Sequence, residues 1–316
     1  MHDGAKGVLA MLAAALIWGL SPLYYKALAH VPPLEVLSHR TLWSAVFFAV
    51  VLAAKGRLSE VGALIRSRDV RVVAVAALMI SVNWFLFILS VQIGLATEAS
   101  LGYYMFPIVA VVIGVAVFGE RLQPLQAVAA AVAAAAVALL TWGLYVPPWI
   151  ALTLAVTFGI YGLIKKRLTA DPVASVTAEV TLLAPLALVW LAGVEAGWLS
   201  EGGRPGGHFL GHNPGDGWVT TALLAASGII TGGPLILFAY ATQRASMATV
   251  GLVQFVNPTL QFLCAVVVFG EPFTVWHKAA FLLIWLAVAL YSLASFRQER
   301  ASRSRVSSVG TSGTTR

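Results

Sequence analysis

Glu35, His39 and Arg40 stand close together inside an otherwise apolar stretch. Glu35 and His39 are four residues apart and share a helix face, with Arg40 beside it. The trio offers a carboxylate, an imidazole that titrates near neutral pH, and a guanidinium with a rigid fork of donors. Such a set can relay a proton or hold a carboxylate-bearing molecule. Lys26, Glu98, Lys165, Glu179 and Glu195 are further ionisable groups lodged in apolar runs. If those runs cross a bilayer, each group costs about 2.5 to 3.5 kcal/mol at a helix centre and requires a reason. Glu35 and Glu98 lie near the start of their runs, where an acid stabilises a helix N-terminus. Arg40 lies deeper, roughly 10 Å inside its run at helical rise, and is expected to face inward onto a partner or a bound molecule.

Trp18, Tyr24, Trp43, Asn83, Trp84 and Tyr161 supply aromatic and amide surface in neighbouring runs. They are candidates for the walls of a polar cavity or for anchors at a membrane interface. Known catalytic signatures are missing. The chain has no HExxH, no GxxxxGK[ST] and no GxSxG, so metalloprotease, ATP-driven and hydrolase chemistry lose their usual residues and no enzyme is expected. His208 and His212 are four apart, but on a Gly/Pro-rich stretch they share no helix face and have no acidic or thiol partner at metal-site spacing. No metal and no cofactor are expected. Cys264, the single cysteine, can form no intrachain disulfide.

The elements that position these residues follow from composition. The 316 residues are 59% hydrophobic and 10% charged, where soluble domains carry roughly a quarter charged residues. The apolar residues fall in runs of about twenty, the length that crosses roughly 30 Å of hydrocarbon. Ten spans are predicted, at 6–28, 33–54, 70–94, 98–118, 124–143, 148–167, 173–196, 217–241, 247–268 and 275–296. The fold class is therefore an all-α integral membrane protein in a lipid bilayer. The first run exceeds a typical signal-peptide core and is read as an uncleaved span. With the N-terminus inside, 16 of the 20 Lys and Arg fall on cytoplasmic segments, which puts both termini there. The net charge of +7 sits in short gaps and at the C-terminus, not on a stripe interleaved with aromatics, so nucleic acid is not an expected partner. The basic, Ser-rich tail at 297–316 is expected to be a disordered cytoplasmic segment. Alanine rows such as Ala127, Ala131 and Ala135 are expected to mark close helix packing.

The chain also repeats itself. At an offset of 151, Phe87 meets Phe238, Gln92 meets Gln243, Pro107 meets Pro258, and Phe118-Gly119-Glu120 meets Phe269-Gly270-Glu271. At an offset of 140, Gly19 meets Gly159, Leu23 meets Leu163 and Lys26 meets Lys166. Five spans per half is an odd number, so the halves, 5–143 and 148–296, must cross the membrane in opposite senses. Inverted repeats of this kind are common in secondary transporters, whose sites lie at the repeat interface. Pro107 and Pro258 each remove one backbone hydrogen bond near mid-membrane and free the carbonyls of Tyr103 and Gln254. Lipid cannot satisfy those carbonyls, so the breaks must face protein or water. Tyr103, Tyr104, Met105, Gln254 and Asn257 line a cavity in one reading and a packing kink in the other.

The strings Trp18 to Lys26, Glu35, His39-Arg40, Trp43-Ser44, Asn83-Trp84, Glu98 to Tyr103, Phe158 to Gly162, Gly251 to Gln254 and Pro258 to Phe262 resemble the RarD branch of the EamA transporters, in the drug/metabolite transporter superfamily. The likeness runs over residues 5 to 296. Met105-Phe106 stand where that branch has Ile-Asn, and Gln92 replaces an asparagine. The resemblance implies a bacterial inner-membrane permease with ten spans and a central cavity between the halves, from a branch called chloramphenicol-sensitive proteins. It leaves open the solute, the direction, the oligomeric state and any coupling to protons. Efflux of amino acids, other metabolites or drugs by alternating access is the leading expectation. A membrane sensor or assembly factor on a transporter-like scaffold is the alternative.

Overall fold

Prolines open three of the long helices. Pro33, Pro124 and Pro172 take first helical positions, where a missing N–H has no partner to lose. Asp171 adds a side-chain cap to the third, accepting from the backbone N–H groups of Val173 and Ala174. The computed structural model describes residues 3–118, 123–145, 147–199, 206–211, 217–245 and 247–311. Among them the helices are α1 (Asp3–Ala27), α2 (Pro33–Ala54), α3 (Ser59–Arg66), α4 (Val70–Gln92), α5 (Ala96–Phe118), α6 (Pro124–Leu144), α7 (Trp149–Arg167), α8 (Pro172–Glu195), α9 (Trp218–Thr242), α10 (Met247–Gln254), α11 (Val256–Leu263) and α12 (Val275–Thr311). No strand occurs among the described residues.

By length and composition nine stretches among the described residues can cross a membrane, with α10, α11 and the π-helical segment Cys264–Val268 acting together as one. The helix α5 is 23 residues long, the length of α4. These helices are apolar on both faces. Inward faces form clusters such as Tyr25, Leu28, Phe87 and Leu224, while Val50, Leu78, Leu188 and Val267 lie exposed, as lipid-facing residues do.

Close helix contacts depend on small residues. On α9, a Cβ at Gly228 would collide with the Trp43 carbonyl oxygen of α2. On α5, a Cβ at Gly102 would come within 2.7 Å of the Ala151 carbonyl oxygen of α7. Glycine there lets backbones touch. The main packing partners are α5 with α7, α6 with α12, α2 with α8, α1 with α9, α2 with α9, α4 with α7, and α1 with α10 and α11.

The structure corrects one expectation and differs from another. Ala127, Ala131 and Ala135 are exposed. The face of α6 that packs against α12 is Ala129, Ala133, Ala136 and Leu140. Because α6 carries alanine on every side, a four-residue alanine spacing does not identify its buried face. The tail, expected to be disordered, continues α12 as helix to Thr311. Arg, Gln, Glu and Ala all favour helix.

Candidate functional site

Arg40 projects from α2 into the protein interior and is only 6% exposed. Its guanidinium carbon lies 4.0 Å from the centre of the Trp84 ring and 5.7 Å from that of Tyr25. Tyr24 and Tyr103 also lie within its electrostatic reach. Neither phenol serves it as an acceptor. The Tyr24 hydroxyl donates to the Leu223 carbonyl at 2.7 Å, and the Tyr103 hydroxyl donates to Asn83 Oδ1 at 2.8 Å. Asn83 is fully engaged, donating through Nδ2 to the Leu154 carbonyl and Thr157 Oγ1 of α7. Arg40 Nε is buried with no hydrogen-bond acceptor. Among the described residues no carboxylate lies within ion-pair distance of its guanidinium. The result is a buried cation held by aromatic faces from α1 and α4, its Nε without an acceptor among the described residues.

The carboxylate on the same helix is committed elsewhere. Glu35, 1% exposed, accepts from the His208 backbone N–H at 2.6 Å through Oε1 and meets His208 Nδ1 at 2.9 Å through Oε2. His208 belongs to the loop between α8 and α9. Gly207 passes so close that a Cβ would lie 3.0 Å from Glu35 Oε1 and 2.9 Å from Glu195 Oε1. Phe209 follows and stacks on His39 with ring centres 4.8 Å apart, then leans on Trp43 at 6.1 Å. The Leu210 N–H donates to Thr221 Oγ1 and fixes the loop to α9. Residues 206–211 thus seat an aromatic plug over the α2 face that carries His39 and Arg40.

A second buried charge sits at the other end of the bundle. Glu179 is 1% exposed and lies seven residues past Pro172, as Arg40 lies seven past Pro33. Unlike Arg40 it is fully matched. Lys165 Nζ lies 2.7 Å from Oε1, Ser175 Oγ donates to the same oxygen at 3.0 Å, and the Tyr161 hydroxyl donates to Oε2 at 3.1 Å. Tyr161 therefore lies with this pair and not in the Arg40 cluster.

The proline-bearing helices behave differently from each other. Near Pro258, Phe255 separates α10 from α11. At Pro107 the helix continues unbroken to Phe118. Where the two meet, Tyr104 stacks on Phe255 with centres 6.3 Å apart, and its hydroxyl pairs with Thr259 Oγ1 at 2.6 Å. Tyr104 and Phe255 occupy equal positions under the 151-residue offset. Gln254 Oε1 is buried without a partner. Asn257 is buried and accepts from Gln261 Nε2, beside the close approach of Gly19.

Several sequence candidates lie outside the Arg40 cluster. Lys26 is exposed, its ammonium 5.5 Å from the Phe269 ring centre, because its long stem carries the charge away from the interior. Trp18 packs on Phe238. Tyr25 and Phe209 belong to the cluster and were not singled out in the sequence. Tyr25 adjoins a chosen tyrosine, and Phe209 is the aromatic of the Gly-rich loop. No group of three metal-ligating side chains occurs among the described residues; His212, Glu120 and Arg204 lie outside them. A cleft of ≈ 350 Å³ opens between α3 and the start of α8, lined in part by Glu60, Leu64, Asp69 and Asp171. None of the Arg40 cluster lines it.

The EamA-like transporter family matches the chain twice, over residues 5–142 and 148–293. The uncharacterized transporter YojE of Bacillus subtilis (strain 168) is 35% identical, over 95% of this chain and 97% of its own length. Protein RarD of Escherichia coli (strain K12) is 35% identical, over 94% and 98%. One solved crystal structure superposes with a TM-score of 0.59 at 20% identity, covering 93% of this chain and 99% of that one, a likeness of fold alone.

Proposed function

This chain belongs to the EamA-like transporter family, and we propose that it is a ten-span permease that moves a small solute by alternating access, with export the leading direction. In this reading α5 is the tenth span, and the halves 5–143 and 148–296 are inserted in opposite senses. The helix partners support it. Exchanging each helix for its repeat mate turns the α5–α7 contact into the contact of α1 with α10 and α11. The same exchange turns α4–α7 into α1–α9 and leaves α2–α8 and α6–α12 unchanged. A molecule with a pseudo-two-fold axis between its halves has this pattern. The charge bias puts both termini on the cytoplasmic side of a bacterial inner membrane.

The observation that carries the reading is Arg40. A buried guanidinium without an anionic partner is expensive to hold in hydrocarbon, and ionisable groups retained inside spans mark solute pathways. The path through Arg40 is closed on the outer side by Phe209 and the Glu35–His208 contact, and on the cytoplasmic side by Lys165–Glu179. Alternating access opens one closure at a time. Flux assays in proteoliposomes over a broad metabolite and drug library test the proposal. Movement of at least one solute class down or against its gradient is expected. A correctly folded protein that moves none of them under any gradient favours a sensor or assembly role.

A further inference from the structure

Resting on the permease reading, we infer that the solute is a monoanion whose carboxylate docks on Arg40, with an apolar body lying against Trp84, Tyr25 and the plug residue Phe209. Arg40 presents unused N–H donors in one plane, a geometry that matches the two oxygens of a carboxylate. Its face is already covered by Trp84 at 4.0 Å, so a carboxylate has to approach along the guanidinium edge, where Nε is buried and unpaired among the described residues. The groups around it compete poorly for that edge. Glu35 gives both oxygens to His208, and among the described residues neither the Tyr24 nor the Tyr103 hydroxyl nor Asn83 Oδ1 accepts from Arg40, each being bonded to another group.

The charge count sets the class of anion. Lys165 is neutralised by Glu179, and Lys26 is exposed over Phe269. No second cation is in contact with the cluster among the described residues, so one positive charge faces the solute. A phosphate dianion would remain unbalanced, whereas a carboxylate is matched. The walls on the other sides are mostly aromatic rings, which suits an apolar or aromatic body over a sugar.

The test compares matched solutes on purified protein. Aromatic and aliphatic monocarboxylates, with phenylacetate as the first probe, are set against their primary amides and their phosphonates. The readouts are binding, by thermal shift and Trp fluorescence, and flux in proteoliposomes. Carboxylates should bind roughly ten- to a hundred-fold tighter than the amides, a range set by one charge-assisted hydrogen-bonded contact. Arg40→Gln should erase that preference, and Arg40→Lys should keep part of it. Amides equal to carboxylates on the wild-type protein would overturn the inference without any variant, while leaving a permease of neutral solutes in place. Tighter binding of phosphonates would overturn the choice of a monocarboxylate. Flux of no solute of any class would overturn the permease reading as well.

Discussion

Arg40 and Glu179 occupy matching places in the two halves, yet one is unpaired and the other has a complete set of partners. Each sits seven residues into a helix that begins with proline, and each is almost fully buried. Around Glu179 the second half supplies Lys165, Ser175 and Tyr161. Around Arg40 the first half supplies Trp84 and Tyr25. The difference teaches that equal burial of equal-magnitude charge does not mean equal purpose. In the proposed permease, the charge with every partner inside the chain holds one closure, and the charge that lacks a partner among the described residues is the one that takes the solute.

The comparison can be broken by removing the pairing. Glu179→Ala leaves the Lys165 ammonium without its carboxylate, which destabilises by about 3 kcal/mol for a buried pair, at the low end because Lys165 is partly exposed. Thermal unfolding in detergent should show it, while Arg40→Gln should leave the melting temperature unchanged or raised. Equal losses in the two variants would make Arg40 structural. Next in size, Gly228→Ala forces α9 off the Trp43 backbone, an overpacking worth about 2 kcal/mol by the same measurement. Since α2 carries Arg40, the variant should also weaken solute binding. Glu271→Ala removes the acceptor for the N–H groups of Ala96 and Thr97, bonded at 2.8 and 2.7 Å. Losing that cap on α5 should cost about 1 to 2 kcal/mol. Smallest, Tyr103→Phe deletes one hydrogen bond to Asn83 and should cost about 1 kcal/mol of stability. Solute affinity should change little, because the hydroxyl is committed to Asn83.

Much of this organisation is legible in the sequence because lipid imposes simple demands. A span needs about twenty apolar residues, and Pro33 at one end with Lys55-Gly56 at the other fixes α2 to the residue. Arg40 stands out because a charge that far inside a span has few reasons to be there. Three features are not legible. Pro107 and Pro258 look alike in sequence, yet only the second interrupts its helix, since the effect of a proline depends on what neighbouring helices offer the freed carbonyl. Trp84 and Trp18 are the same residue type in similar runs, and only tertiary packing sends one to Arg40 and the other to Phe238. Phe209 arrives at His39 from 170 positions along the chain, a contact that no local spacing encodes.

The account depends on the halves entering the membrane in opposite senses, since that is what puts Arg40 and Glu179 near opposite faces. Arg57 follows α2, and Trp198, 85% exposed, follows α8. With Cys264 replaced by serine, Arg57→Cys and Trp198→Cys can be labelled in intact cells by a membrane-impermeant thiol reagent. Labelling of the Trp198 position from outside, with the Arg57 position reached only after permeabilisation, is the predicted result. Labelling of both positions from the same side would contradict the account.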